Sequence, residues 1–152
     1  MADVVGKIRE KFYDQIVKFE EKSGRRVYIE FKPQDIPEVV KFLFGDLGCR
    51  FATATGIDTP LGIEILYHFS YDPDGKAISL RTLITDKKKP QIQSIARLIS
   101  GAEWIEREMW ELLGINFIGH PNLKHLLLID DWPEGKYPLR HKHDLLGEGD
   151  VT

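Results

Sequence analysis

The sequence predicts an α+β fold, a small mostly antiparallel sheet flanked by helices, with an irregular C-terminal tail. Three observations predict it: a helix–strand–helix order at the N-terminal end, three strand-like runs in succession, and helical periodicity again near residue 100. Helices packed against one sheet form a stable architecture because each element buries its apolar face against the other. A chain of 152 residues is long enough for one such core.

The N-terminal part contains two predicted helices and one predicted strand. Residues 4–22 carry apolar side chains at spacings of three and four, the pattern of an amphipathic helix. Residues 26–31 alternate and are rich in β-branched and aromatic side chains, so they read as a strand. Asp35 is expected to cap a second helix that runs to about Phe44.

Three further strands are predicted at residues 49–58, 63–71 and 76–85, joined as an antiparallel meander. The Asp-Pro-Asp-Gly turn at residues 72–75 supports this order, because proline fixes one backbone angle and glycine closes the turn. A helix over residues 91–99 is expected to lead into a last helix at 102–113.

The last predicted helix has an apolar stripe with two exceptions. The stripe consists of Ile105, Met109, Leu112 and Leu113. Outside it lie three charged residues expected in solvent, Glu106, Arg107 and Glu111. Glu108 falls within the stripe, so its carboxylate is expected to have a partner such as Arg140 or a backbone turn. Trp110 falls on the polar face, where it is either an interface residue or covered by the tail.

After Gly114 the periodicity fades, and many turn residues follow. Such a segment usually lies on another surface. The sequence therefore predicts an α+β domain over residues 1–114 and an extended tail over residues 115–152.

Composition excludes several kinds of site. Charged residues make up 30% of the chain but the net charge is −3, which gives no basic footprint for nucleic acid. The single cysteine, Cys49, cannot form an internal disulfide or a cysteine-ligated cluster, and it favours a reducing compartment. No run approaches the roughly 20 apolar residues of a membrane span. Scarce asparagine and glutamine favour a thermophilic source.

The histidines raise the question of a metal site. Four of them, His120, His125, His141 and His143, lie late in the chain near acidic residues. The spacing of zinc motifs such as H-E-x-x-H is missing from the sequence, and Gly119-His120-Pro121 is typical of a turn held by the imidazole. Residues 86–90, Asp-Lys-Lys-Lys-Pro, read as a solvated turn.

The last third of the chain resembles the signature of the 30 kDa (C-type) subunit family of respiratory complex I. That pattern has Trp-x-Glu-Arg-Glu, an acid, Gly-Ile, Phe-x-Gly-His-Pro, a leucine run and Pro-Leu-Arg. The matching positions are Trp104, Glu106, Arg107, Glu108, Glu111, Leu112, Gly114, Ile115, Phe117, Gly119, His120, Pro121, Leu123, Leu126, Leu127, Asp131, Trp132, Pro138, Leu139 and Arg140.

The resemblance implies a non-catalytic subunit in the peripheral arm of an ion-translocating oxidoreductase. It implies a large partner subunit that resembles nickel–iron hydrogenases and a small iron–sulfur subunit, with a membrane arm reached indirectly and no nucleic acid. This chain would hold no cofactor, since the iron–sulfur clusters, and a nickel–iron centre in some forms, belong to the partners. The implied location is peripheral, on the cytoplasmic side of the cell membrane.

Departures from the pattern favour a membrane-bound hydrogenase of archaeal type. Glu111 stands where aspartate is common, Leu113 where a second aromatic is common, and residues 141–144 replace the usual Lys-Asp. The tail also stops soon after, where quinone-reducing members often continue. The residues expected to form the partner interface or its structural signature are Trp104, Glu106, Arg107, Glu108, Trp110, Glu111, Gly119, His120, Pro121, Trp132, Pro138, Leu139 and Arg140.

Two alternatives remain open from the residues. One is a stand-alone metal-dependent enzyme that uses His120, His125 and nearby acids. The other is an independent α+β binding module whose contact is Lys87 to Lys89. Neither explains the ordered run from Trp104 to Arg140.

Overall fold

A computed structural model describes residues 3–123 and 137–140 of the chain. Its strands are β1 (Lys18–Glu21), β2 (Arg26–Glu30), β3 (Arg50–Thr59), β4 (Gly62–Tyr71), β5 (Lys76–Ile84), β6 (Gln91–Gln93) and β7 (Asn116–Ile118). The helices are α1 (Val4–Lys11), α2 (Ile36–Lys41) and α3 (Glu103–Leu113). The predicted α+β class is confirmed, and the sheet is mostly antiparallel.

The main sheet has five strands in the order β1-β2-β5-β4-β3, and only the β2–β5 pair is parallel within it. The predicted meander of β3, β4 and β5 forms its larger part. Gly75 closes the β4–β5 connection at a φ of 63°, a backbone conformation that glycine adopts without strain. Every second residue of β4 from Ile63 to Phe69 is buried in the core that the helices share, as the alternation of side chains along a strand requires.

The helix predicted over residues 4–22 is wrong in its second half. Helix α1 ends at Lys11, and residues 18–21 form edge strand β1. Phe19 pairs with Ile29 of β2, and the Arg9 guanidinium lies 4.3 Å from the Phe19 ring centroid. Pairing with β2 gives the backbone groups of residues 18–21 hydrogen-bond partners that the end of an isolated helix would lack.

The second helix begins after Asp35 as predicted, but the Asp35 side chain makes no capping bond. Its Oδ1 accepts from Gln15 Nε2 at 3.2 Å instead. Helix α2 then passes into a π-helical turn, Phe42–Asp46.

The helix predicted over residues 91–99 is also wrong. Strand β6 occupies Gln91–Gln93, and turns follow. Ile92, Ile95 and Ile99 are buried at intervals of three and four residues, although the segment is not helical. The amides of Ile95 and Ala96 donate to the side chains of Glu106 and Ser94, so side-chain acceptors replace the carbonyls of a helix.

Helix α3 packs on strand β3 and continues directly into a second, two-stranded sheet. Gly56 gives α3 its close approach, since a Cβ there would lie 2.6 Å from Leu113 Cδ1. After Gly114, strand β7 pairs in parallel with β6, and Ile115 and Phe117 are buried. The first residues of the segment expected as a tail therefore lie within the folded body.

Candidate functional site

Helix α3 is rotated relative to the prediction, and this rotation decides which signature residues are exposed. Its buried face contains Glu106, Arg107, Met109, Glu111 and Leu113. The expectation that Glu106, Arg107 and Glu111 are in solvent is therefore wrong. The expectation that Glu108 is buried is wrong as well, because it is exposed. The prediction came from a helical wheel on which charged residues were assigned to the solvent side. In the structure, Glu106, Arg107 and Glu111 are buried and make polar contacts there.

Glu106 joins helix α3 to the turn after β6. Its side chain is 1% exposed, with Oε1 accepting from Ser94 Oγ at 2.5 Å and Oε2 accepting from Ile95 N at 2.8 Å. Burial raises the pKa of the Glu106 carboxyl, and the bonds from Ser94 and Ile95 oppose that rise. The nearby phenol of Tyr67 is fully buried, and burial together with the Glu106 charge raises the pKa of Tyr67. No pattern in the sequence pointed to Ser94 or Tyr67 as partners.

The Gly119-His120-Pro121 turn is held by the imidazole, as predicted. His120 Nε2 lies 3.0 Å from the Glu103 carbonyl oxygen, and Nδ1 accepts from Asn122 N at 2.9 Å. These bonds assign the ring proton to Nε2, because a backbone amide can only donate. Gly119 has a φ of 82°, which favours glycine at that position. His120 Nε2 is also 3.9 Å from Glu106 Oε1, so the turn and the buried carboxylate adjoin.

Arg140 holds the Tyr-Pro-Leu-Arg segment at residues 137–140 against the C-terminal end of α3. Its Nη1 donates to the Leu113 carbonyl at 2.9 Å and its Nη2 to the Lys87 carbonyl at 2.6 Å. The Leu139 amide donates to the Leu112 carbonyl at 3.0 Å. A cation here suits the negative end of the helix dipole and satisfies carbonyls that the helix leaves open.

Arg140 therefore does not pair with Glu108, and that expectation is wrong. Its carboxylate neighbour is Asp58, whose Oδ1 lies 3.9 Å from Arg140 Nε and 2.7 Å from Lys87 Nζ. Lys87 Nζ also donates to the Thr59 carbonyl at 2.7 Å. Asp58 was not predicted as a site residue, although an acid on the buried side of a strand was the available signal.

This geometry weighs against both alternative sites. Lys87, part of the contact offered for an independent binding module, has a side chain that is 16% exposed and forms an ion pair with Asp58. His120 has both ring nitrogens engaged by backbone groups, so ligation of a metal would break one of those bonds. Among residues 3–123 and 137–140, no three His, Cys, Asp or Glu residues are grouped to hold a metal ion.

The cysteine is part of the core. Cys49 is buried, and burial raises the pKa of its thiol to about 11. A thiol with that pKa is a poor nucleophile at neutral pH because the thiolate is the reactive form.

The two tryptophans of α3 differ in exposure, and Trp110, expected on the polar face, is the less exposed of the two. Trp104 is 62% exposed, whereas Trp110 is half-buried against the core. The Arg107 guanidinium lies 5.4 Å from the Trp104 ring centroid, within the range of a cation–π contact. Pro121, Pro138 and Leu139 are exposed. Trp132, His125, His141 and His143 lie outside the described residues.

In the part of the chain that the structure describes, no helix is both long enough and apolar enough to cross a membrane.

Comparisons with known proteins agree with the resemblance seen in the sequence. Residues 29–149 match the family described as "Respiratory-chain NADH dehydrogenase, 30 Kd subunit". The C-type subunit of the NADH-quinone oxidoreductase of Citrifermentans bemidjiense is 34% identical over 148 residues, which cover 94% of this chain and 89% of the relative. The C/D-type subunit of the NADH-quinone oxidoreductase of Bacteroides thetaiotaomicron is 34% identical over 106 residues, which cover 68% of this chain and 20% of the relative.

Two solved structures share the fold. A chain of the membrane-bound sulfane sulfur reductase, described as an archaeal respiratory membrane complex, superposes with a TM-score of 0.78 at 21% identity, covering 98% of this chain and 91% of that chain. The trypsin-resistant fragment of Nqo5 superposes with a TM-score of 0.60 at 20% identity, covering 79% and 96%. With residues 29–149 matched, the chain belongs to the family of the 30 kDa subunit of the respiratory-chain NADH dehydrogenase.

Proposed function

We propose that this chain is a non-catalytic peripheral-arm subunit that braces the large, D-type subunit of a complex I-like oxidoreductase during electron transfer. The observation that carries the proposal is the relative of C/D type, of which the matched segment is 20%. A C-type module and a D-type module in one polypeptide have a fixed one-to-one ratio and a high effective concentration for each other. Separate chains of the same family would reach that arrangement by a stable interface.

The contacts of the signature residues support a bracing role. Glu106, His120 and Arg140 each join segments that are distant in the chain, through hydrogen bonds to backbone groups. Such bonds fix the shape of one end of the domain. A rigid end is suited to holding a neighbour because little freedom remains to be lost on binding.

The remaining parts of the proposal concern the rest of the complex. The iron–sulfur clusters, and a nickel–iron centre if the complex is of hydrogenase type, belong to the D-type subunit and a small iron–sulfur subunit. The chain is held peripherally on the cytoplasmic side of the membrane through these partners, and ion translocation occurs in a separate membrane arm.

Two forms of the complex are supported by different relatives. The NADH-quinone form is supported by the 34% identity to the C-type relative. An archaeal form is supported by the fold shared with the sulfane sulfur reductase chain, which belongs to an archaeal respiratory membrane complex. The partner subunits decide between them, since this chain contributes structure in both.

The test is gentle detergent extraction of the tagged chain from its native cells, followed by mass spectrometry of what co-purifies. The proposal predicts a D-type large subunit and a small iron–sulfur subunit in amounts equal to the chain. The cysteine ligands of that large subunit then separate a hydrogenase from a quinone-reducing form. Recovery of the chain alone, from a membrane extract in which the large subunit is detected, would contradict the proposal.

A further inference from the structure

The exposed ring of Trp104 is held in place on the surface of α3. Tryptophan presents about 150–250 Å² of mostly apolar surface, and here 62% of the residue is exposed. Arg107 is itself buried, and its guanidinium lies against the ring at 5.4 Å. A large aromatic side chain held by a fixed neighbour has the character of an interface anchor, since little side-chain freedom is lost on contact.

Trp104 begins a stripe along the outer face of α3. Glu108 and Leu112 follow at successive intervals of four residues, which places all three on one side of the helix. Leu112 is partly buried, and its carbonyl accepts a hydrogen bond from the amide of Leu139. Leu139 is 52% exposed. Arg140, bonded to the Leu113 carbonyl, fixes Leu139 at this end of the stripe. We call Trp104, Glu108, Leu112 and Leu139 the docking face.

The docking face has one charge between its apolar ends. Glu108 is exposed, and within the described residues no cation forms an ion pair with it. Of the four glutamates of α3, Glu106 and Glu111 are buried and Glu103 is partly buried, so Glu108 is the one that is exposed. An unpaired carboxylate between exposed apolar side chains is complementary to a surface with an apolar groove and a basic side chain.

We propose that the docking face binds the D-type large subunit, with Trp104 in an apolar groove and a lysine or arginine of that subunit opposite Glu108. This inference rests on the proposed function, because the C/D relatives identify the occupant. It assigns the anchor to Trp104, in place of the half-buried Trp110 that the sequence suggested.

The test is the affinity of the chain for the D-type subunit of the same complex, co-expressed or reconstituted. Trp104→Ala is expected to weaken binding at least tenfold, and Glu108→Lys to weaken it more than Glu108→Gln. The matched control is Tyr13→Ala, which removes an aromatic ring that is 76% exposed at the far end of α1 and is expected to leave affinity within twofold. Circular dichroism confirms that each variant is folded.

Three outcomes would overturn the inference. If the wild-type chain binds and the Trp104 and Glu108 variants bind equally well, the docking face is wrong while the proposed function stands. If the wild-type chain forms no complex with the D-type subunit, the proposed function fails as well. If the chain alone forms a dimer that Trp104→Ala abolishes, the occupant of the face is a second copy.

Discussion

Replacement of Glu106 by alanine tests whether the buried carboxylate connects α3 to the rest of the fold. The change removes the acceptors for Ser94 Oγ and Ile95 N, and the site is 1% exposed, so water cannot replace them without a rearrangement. Each donor left unsatisfied costs about 1–3 kcal/mol. Relief from burying a charge offsets part of this loss. The expected net destabilisation is about 2–4 kcal/mol.

Glu106→Gln is the matched control because it keeps the shape and one carbonyl acceptor. Its amide oxygen can accept from Ile95 N while its NH₂ group donates to Ser94 Oγ. The expected loss is about 1 kcal/mol or less. The assay is urea unfolding at pH 7 followed by circular dichroism, with the free energy of unfolding compared among the three proteins.

The pH dependence gives a second readout from the same proteins. Burial raises the pKa of Glu106 in the folded state above the ordinary glutamate value. The folded state therefore binds more protons than the unfolded state between those two pKa values, so this group makes stability fall as pH rises through that window. The stability of the wild type relative to Glu106→Gln is expected to fall over that window and to level off above it.

Two results would refute the reasoning on Glu106. A Glu106→Ala protein within about 0.5 kcal/mol of the wild type, close to the error of the method, would show that the hydrogen bonds are not needed. A wild type that gains stability relative to Glu106→Gln as pH rises from the ordinary glutamate pKa would show that the ionised form is favoured in the fold.

The remaining predictions concern other residues of the body. Arg140→Ala removes two hydrogen bonds to backbone carbonyls from a side chain that is 11% exposed, and it is expected to lower the free energy of unfolding in urea by about 2–3 kcal/mol. Arg140→Lys is expected to be intermediate, and equal stability of all three proteins would contradict the assigned contacts. Cys49, with a pKa of about 11, should react with a thiol reagent at pH 8 far more slowly in the folded protein than in urea, and equal rates would place it at the surface. Gly56→Ala should cost about 1–3 kcal/mol, because its Cβ would lie 2.6 Å from the Leu113 side chain, and an unchanged melting temperature would show that α3 does not pack there.

The meander was predictable because each of its signals is local. Alternation in β4 and the Asp-Pro-Asp-Gly turn depend on neighbours in the sequence, and the structure confirms them. Gly119-His120-Pro121 was predictable for the same reason, since the imidazole bonds to Asn122, two residues away.

The errors came from contacts between distant segments. Strand β1 forms because β2 is beside it, and the turn at residues 94–96 forms because Glu106 accepts from the Ile95 amide. A helical wheel assigns charged residues to solvent, so it could not show that Glu106, Arg107 and Glu111 are buried. Because those assignments fixed the expected rotation of α3, the helical wheel also placed Trp110 on the polar face, whereas Trp104 carries the exposed ring.

The family signature contributed what local patterns could not. The residues that match it include Glu106, His120 and Arg140, each of which joins distant parts of the chain. The pattern therefore identified the end of the domain where these contacts gather, although the direction of each side chain came from the structure.

Native mass spectrometry of the chain co-purified with its D-type large subunit tests the central claim most directly. We expect a one-to-one complex that survives purification at physiological salt and that Trp104→Ala weakens. Two separate species at micromolar concentration, with both proteins folded, would contradict the claim that this chain braces the large subunit.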